Sequence, residues 1–143
     1  MKVSKHYDIR EFVPPAVWQQ FGERSLWFID QRLVLLGDWM CDYFGVHVIV
    51  NNWHEGGHYF ESGYRDPETS TGAKRSTHKR GIASDWKVPS MGAEAVRDEL
   101  RLHYTALHSR FGLTTIELDT PTWVHTDLRW TNRPAVLLEV PFK

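Results

Sequence analysis

Two short polar stretches contain the residue types that bind metal ions and catalyse hydrolysis. One is "STHKRGIASDW" (76–86), which carries His78 and Asp85, and the other is "TWVHTDLRW" (122–130), which carries His125. Imidazole nitrogens and carboxylate oxygens are common ligands of Zn²⁺, and three protein ligands leave a fourth tetrahedral position open, as in catalytic zinc sites. We therefore expect these three residues to hold one Zn²⁺. The alternative is that they are unrelated polar residues in loops.

The strand predicted for the second stretch presents a polar face and a core face. Residues two apart on an extended strand face the same side of the sheet, so Trp123, His125 and Asp127 lie together. The intervening positions suit a core: Val124, Thr126 and Leu128.

The first stretch places a carboxylate inside a predicted strand. Gly81 permits a tight bend after His78, and "GIASDWKV" then predicts a half-buried strand that contains Asp85. Burying an isolated charge is costly, so a carboxylate in this position must be paired or bound to a metal.

Composition narrows the possible functions. The chain has 143 residues with 41% hydrophobic and 24% charged residues, which predicts one domain spanning residues 1–143. The formal net charge of −1 gives no electrostatic basis for binding nucleic acid or an anionic membrane, and it argues against a metal-dependent nuclease. Cys41 is the only cysteine, so an intrachain disulfide and a cysteine-rich zinc site are both excluded.

The sequence also carries expectations about localisation. The N-terminal stretch "MKVSKHYDIREFV" lacks the apolar segment of a secretory signal, and no stretch approaches the ~18 consecutive apolar residues of a membrane span. We expect synthesis in the cytoplasm, with no membrane partner. Action outside the cell would require release by another factor.

Hydrophobic periodicity predicts an α+β fold, with a small, mainly antiparallel sheet and two long helices packed on it. The long helices are expected from an N-cap at Ser25 to about Phe44, and from an N-cap at Ser90 to Gly112. The remaining predicted elements are a short helix ending at Gly22, a strand at Val46–Val50, a polar loop at 51–77, the strand "GIASDWKV", a hairpin of "LTTIEL" and "TWVHTDLRW", and a last strand "AVLLEV".

Three motifs resemble those of one family of zinc peptidases. "STHKRGIASD" matches the pattern SxHxxGxAxD of the zinc D-Ala-D-Ala carboxypeptidases and dipeptidases and of several phage endolysins, which share the fold of the hedgehog proteins. "WVHTD" is similar to the second zinc motif of that family, and "SGYR" (62–65) to its segment with a substrate-binding arginine. The opening "SKHYDIREFV" resembles small phage-encoded members.

The resemblance implies roles for individual residues. His78, Asp85 and His125 would be the zinc ligands, and Arg65 would hold a carboxylate or carbonyl of a peptide stem. Ser76 would support the site or contact substrate. Asp127 would steady a ligand histidine, or be only an exposed strand residue.

The catalytic base departs from the family pattern. Many members carry an acid three residues before the second zinc histidine, where this chain has Thr122. The hairpin offers Glu117 and Asp119 instead. Alternation puts Glu117 on the face of His125, whereas Asp119 lies in the turn and suits a bond to the backbone there, so we predict Glu117 as the base.

These features predict a zinc metallopeptidase that cleaves stem peptides of bacterial cell-wall peptidoglycan, as a carboxypeptidase or a phage endolysin. The alternative is a zinc-binding module without catalysis, such as a phage virion or wall-binding component, and Thr122 is its main support.

Overall fold

The computed structural model describes residues 1–142, and they form four α-helices beside one four-stranded sheet. The α+β prediction is therefore confirmed. The helices are α1 (Pro15–Phe21), α2 (Gln31–Phe44), α3 (Ala93–Leu102) and α4 (Tyr104–Phe111), and the strands are β1 (Ala83–Trp86), β2 (Thr115–Leu118), β3 (Val124–Asp127) and β4 (Leu138–Pro141). No helix among residues 1–142 has the length and apolar character needed to span a bilayer.

The strands run in the order β1-β3-β2-β4 across the sheet. β3 pairs antiparallel with both β1 and β2, as the hairpin prediction requires, whereas β4 pairs parallel with β2. The sheet is thus mixed, with antiparallel pairs in the majority. Its two central strands are β3 and β2, so side chains of β3 meet neighbours from both sides.

Alternation along β3 separates a core face from a polar face. Val124 and Thr126 are buried, and Thr126 Oγ1 accepts a hydrogen bond of 2.8 Å from Nε1 of the fully buried Trp86. This bond satisfies the indole N–H inside the core. His125 and Asp127 consequently project from the other face, as alternation predicts.

The first long helix begins later than its sequence suggests. The predicted N-cap, Ser25, is wrong: its hydroxyl is buried and donates to the carbonyl of Val17, inside a 3₁₀ segment at Gly22–Phe28. Asp30 caps α2 instead, because its side chain accepts from the backbone N–H of Arg32.

The second long helix is divided. The predicted cap Ser90 is wrong, since it has φ 69 and α3 begins after Gly92. His103 leaves helical geometry between α3 and α4, and its ring contacts the aromatic rings of Trp39 and Tyr43 on α2.

The predicted strand at Val46–Val50 is reduced to a single bridge between Ile49 and Lys87. The reason is that neighbouring backbone groups bond to the N-terminal segment. The carbonyl of Val48 accepts from the hydroxyl of Tyr7, and the N–H of Asn51 donates to the carbonyl of Glu11.

The polar loop that follows is anchored beside β1. The carbonyl of Ser62 accepts a hydrogen bond from the N–H of Asp85, and the N–H of Ser62 donates to the side chain of Asn51. The N–H of Tyr64 donates to the carbonyl of Phe12. These bonds fix the carbonyl of Gly63 close to the sheet.

Gly81 ends the 3₁₀ turn of Thr77–Arg80 with φ 71, and a Cβ there would lie 1.9 Å from the carbonyl oxygen of Phe28. We expect Gly81→Ala to lower the free energy of unfolding by about 1–2 kcal/mol for the left-handed backbone and about 1–3 kcal/mol more for the clash. Gly45→Ala is the control, because Gly45 has φ 69 and open space around it. Urea unfolding of the metal-free proteins measures both free energies, and an equal decrease for Gly81→Ala and Gly45→Ala would contradict the clash.

Candidate metal centre

Two histidines and one carboxylate converge on the polar face of the sheet. His78 Nε2 lies 3.2 Å from His125 Nδ1 and 3.2 Å from Asp85 Oδ1, and His125 Nδ1 lies 3.0 Å from the same Asp85 oxygen. The three residues are buried. They form a compact triangle of one potential ligand atom each.

Sheet register brings two members of this triangle together. Asp85 on β1 is the direct partner of His125 on β3, so their side chains rise from neighbouring positions on one face. His78 reaches them from the 3₁₀ turn before β1. Ser76 caps that turn, since its hydroxyl oxygen accepts from the backbone N–H of His78.

In each histidine one ring nitrogen donates to a fixed acceptor, and the other nitrogen faces the triangle. His78 Nδ1 donates to the carbonyl of Gly63 over 2.8 Å, which leaves Nε2 with its lone pair toward the triangle. His125 Nε2 donates to Asp127 Oδ2 over 2.8 Å, which leaves Nδ1 of His125 facing the triangle. Metal-ligating histidines commonly donate their second nitrogen to a carbonyl or carboxylate in this way.

The triangle fits a small divalent cation. A tetrahedral ion about 2.0–2.1 Å from each ligand separates the ligand atoms by about 3.3–3.4 Å, close to the separations of 3.0–3.2 Å found here. His78, Asp85 and His125 are therefore near enough to hold a metal ion.

Three carboxylates surround His125. Its Nδ1 lies 3.0 Å from Asp85 Oδ1 and 3.1 Å from Glu117 Oε1, while its Nε2 bonds to Asp127. Burial lowers the pKa of His125, but these acceptors outweigh burial and raise it to about 9. Burial also opposes ionisation of Asp85, yet His78 and His125 hold the pKa of this carboxyl well below its usual range.

Metal uptake should therefore displace a proton from His125. A pKa raised to about 9 means that the metal-free protein carries this proton at neutral pH, and ligation requires its loss. We expect release of about one proton per metal near pH 7, and affinity that rises about tenfold per pH unit up to about pH 9. Calorimetry in buffers of different ionisation enthalpy measures this release, and a binding enthalpy that is independent of the buffer would contradict it.

The triangle lies in a cleft of about 660 Å³. Arg65, Arg75 and Arg129 belong to its lining. The lining also includes apolar residues from the hairpin and from the C-terminal segment: Trp123, Val140, Pro141 and Phe142. A ligand in this cleft would meet positive charge, apolar surface and the metal-binding residues together.

Glu117 is the carboxylate that the hairpin brings to the cleft. The β2–β3 register pairs Ile116 with Thr126, and its continuation places Glu117 across from His125, where the two side chains meet at 3.1 Å. Glu117 lines the cleft but is not one of the three residues whose ligand atoms lie within 4.8 Å of one another.

The other candidate for the base is not brought to the triangle. Asp119 is exposed in the turn and has φ 62. This left-handed backbone conformation ends the alternation of side chains along β2. Thr122 is exposed as well. Neither residue belongs to the cleft lining.

Arg65 lies against the triangle as well as the cleft. Its Nη2 is 3.2 Å from Asp85 Oδ2, the oxygen outside the triangle, and its Nε donates to the carbonyl of Glu61. Its side chain is largely buried. One edge of the guanidinium thus steadies a potential ligand while the residue borders the cleft.

Sequence reasoning missed three supporting groups: the carbonyl of Gly63, the hydroxyl of Thr77 and the guanidinium of Arg129. Thr77 Oγ1 donates to Asp127 Oδ2 over 3.4 Å. Arg129 could have been found, because it continues the two-residue alternation of His125 and Asp127. The role of Gly63 could not be predicted from residue type, since every residue has a backbone carbonyl.

Comparisons with known proteins gave no match: no family model, no curated protein and no solved structure matches this chain. The likeness to zinc peptidases rests on the three motifs.

Proposed function

We propose that this protein is a zinc-dependent peptidase that cleaves stem peptides of bacterial cell-wall peptidoglycan. The observation that carries the proposal is the buried triangle of His78, Asp85 and His125 at a cleft, with Glu117 across the hairpin from His125. Two imidazoles and one carboxylate are the ligand set of several zinc hydrolases, in which a fourth position stays open.

Each residue of the site has a separate task in this proposal. When bound, Zn²⁺ supplies Lewis acidity, which polarises a carbonyl and promotes ionisation of water near neutral pH. Glu117 accepts the proton of the attacking water and returns it to the leaving amine. It suits this task because it lines the cleft and contacts His125 without being one of the three ligands. Asp127 holds His125 in the ligating tautomer.

The substrate class is supported by the motifs and by the lining of the cleft. "STHKRGIASD" resembles the zinc motif of peptidases that act on D-alanyl peptides, and "SGYR" resembles their arginine segment. The arginines of the lining suit the carboxylates of a peptide stem, since guanidinium binds carboxylate through two hydrogen bonds. The apolar residues of the lining, which include Trp123, suit a peptide's aliphatic groups.

The proposal is tested by incubating the zinc-loaded protein with purified peptidoglycan and with synthetic stem peptides. Mass spectrometry should detect new amine and carboxylate termini, and a chelator should abolish them. Tight zinc binding without cleavage of either substrate would overturn the peptidase proposal and favour a zinc-binding module.

Arg65→Lys should lower kcat/KM for a stem peptide about 10–100-fold, because a point charge loses the bidentate contact with a substrate carboxylate. We expect zinc affinity to change less than about threefold, because Arg65 bonds to Asp85 through Oδ2, the oxygen outside the triangle, and lysine retains the charge. Steady-state kinetics with zinc titration measures both quantities. Unchanged kinetics would show that Arg65 does not bind substrate.

A further inference from the structure

Arg129 has an unusual place beside a cation site. Its Nε and Nη2 bond to the two oxygens of Asp127 over 2.8 and 2.6 Å, and its backbone N–H donates to Oδ1 over 3.1 Å. Asp127 is fully buried and its Oδ2 also accepts from His125 Nε2. Arg129 thus reaches a ligand histidine through a single shared carboxylate.

We infer that Arg129 is a positioning residue, which strengthens metal binding by fixing Asp127 and, through it, the ring of His125. This inference rests on the proposed metal site and adds a residue to it. The two parallel N–H···O bonds fix the plane of the Asp127 carboxylate. That plane sets the direction in which His125 Nε2 donates, and therefore the direction in which Nδ1 faces Asp85.

Direct electrostatics predicts the opposite effect of Arg129 on metal affinity. Arg129 lines the same cleft as the triangle, and a positive charge near a divalent cation repels it. If charge alone mattered, removing the guanidinium would tighten metal binding. If Arg129 acts through Asp127, removing it should weaken metal binding.

The experiment compares zinc affinity, by competition with a chromophoric chelator, for Arg129→Gln, Arg129→Lys and the wild-type chain. We expect Arg129→Gln to weaken binding about tenfold, at the lower end of the 10–100-fold range for residues that orient metal ligands. Arg75→Gln is the matched control, because it removes one guanidinium charge from the lining of the same cleft, and Arg75 makes no hydrogen bond to Asp127 among the described residues. It should leave affinity unchanged or slightly tighter.

Arg129→Lys keeps the charge and loses the paired bonds, so it should also bind zinc more weakly than the wild type. It remains informative if Arg129→Gln does not fold. In a double-mutant cycle, Arg129→Gln should lower zinc affinity only slightly when Asp127→Asn is already present, because the carboxylate through which Arg129 acts has been altered. The visible absorption of the Co²⁺-loaded protein should change with Arg129→Gln and not with Arg75→Gln.

Zinc affinity of Arg129→Gln equal to or tighter than that of the wild type would overturn the inference, as would additive losses in the cycle. These outcomes are distinct from failure of the proposed function, in which the zinc-loaded wild type would leave stem peptides uncut.

Discussion

Glu117→Gln should retain zinc and the fold while kcat for a stem peptide falls roughly 10²–10⁴-fold, the usual contribution of general acid–base catalysis. Glutamine preserves the size of the side chain but cannot accept a proton from water at neutral pH. Glu117 has the required position, because it borders the cleft and its Oε1 lies 3.1 Å from His125 Nδ1.

Asp119→Asn is the matched control for Glu117→Gln. It makes the same chemical change two residues later in the same hairpin, where the side chain is exposed and outside the cleft lining. We expect its kcat to stay within about twofold of the wild type. Loss of turnover in Asp119→Asn with full activity in Glu117→Gln would reverse the assignment of the base.

His125→Ala should weaken zinc binding roughly 10²–10³-fold, which is the share of one ligand when the binding free energy of about 10–16 kcal/mol at a four-ligand structural zinc site is divided equally. His78→Ala should show a loss of the same order, since the two imidazoles occupy equivalent corners of the triangle. Metal analysis after dialysis at a fixed free zinc concentration measures this loss.

His103→Ala is the control for the two ligand variants. His103 is a partly exposed histidine between α3 and α4, in contact with Trp39 and Tyr43, and its removal should leave zinc content unchanged. Full zinc occupancy in both His78→Ala and His125→Ala would show that the ion binds elsewhere.

The polar face of the hairpin could be predicted from sequence because strand geometry leaves few choices. A period of two places His125 and Asp127 on one side, and the same alternation along the partner strand of the hairpin places Glu117 on the face of His125. Asp85 could be anticipated as well, because a carboxylate within a buried strand requires a partner.

Helix boundaries and supporting residues were less accessible to sequence analysis. Ser25 and Asp30 are both good N-cap residues, and the choice between them depends on whether the chain from Gly22 packs as a 3₁₀ segment, which is a tertiary effect. The backbone carbonyl that orients His78 comes from Gly63. Its approach depends on how the polar loop is anchored to Phe12 and Asn51.

The proposed role of the triangle of His78, Asp85 and His125 is to bind zinc for peptide hydrolysis. The most direct measurement is mass spectrometry of stem peptides released from purified peptidoglycan by three samples: the zinc-loaded wild type, the chelated wild type and zinc-loaded Glu117→Gln. We expect new peptide termini with the first sample, none with the second and only slight residual cleavage with the third. Equal cleavage in the presence and absence of chelator, or zinc binding with no cleavage at all, would contradict the proposed role.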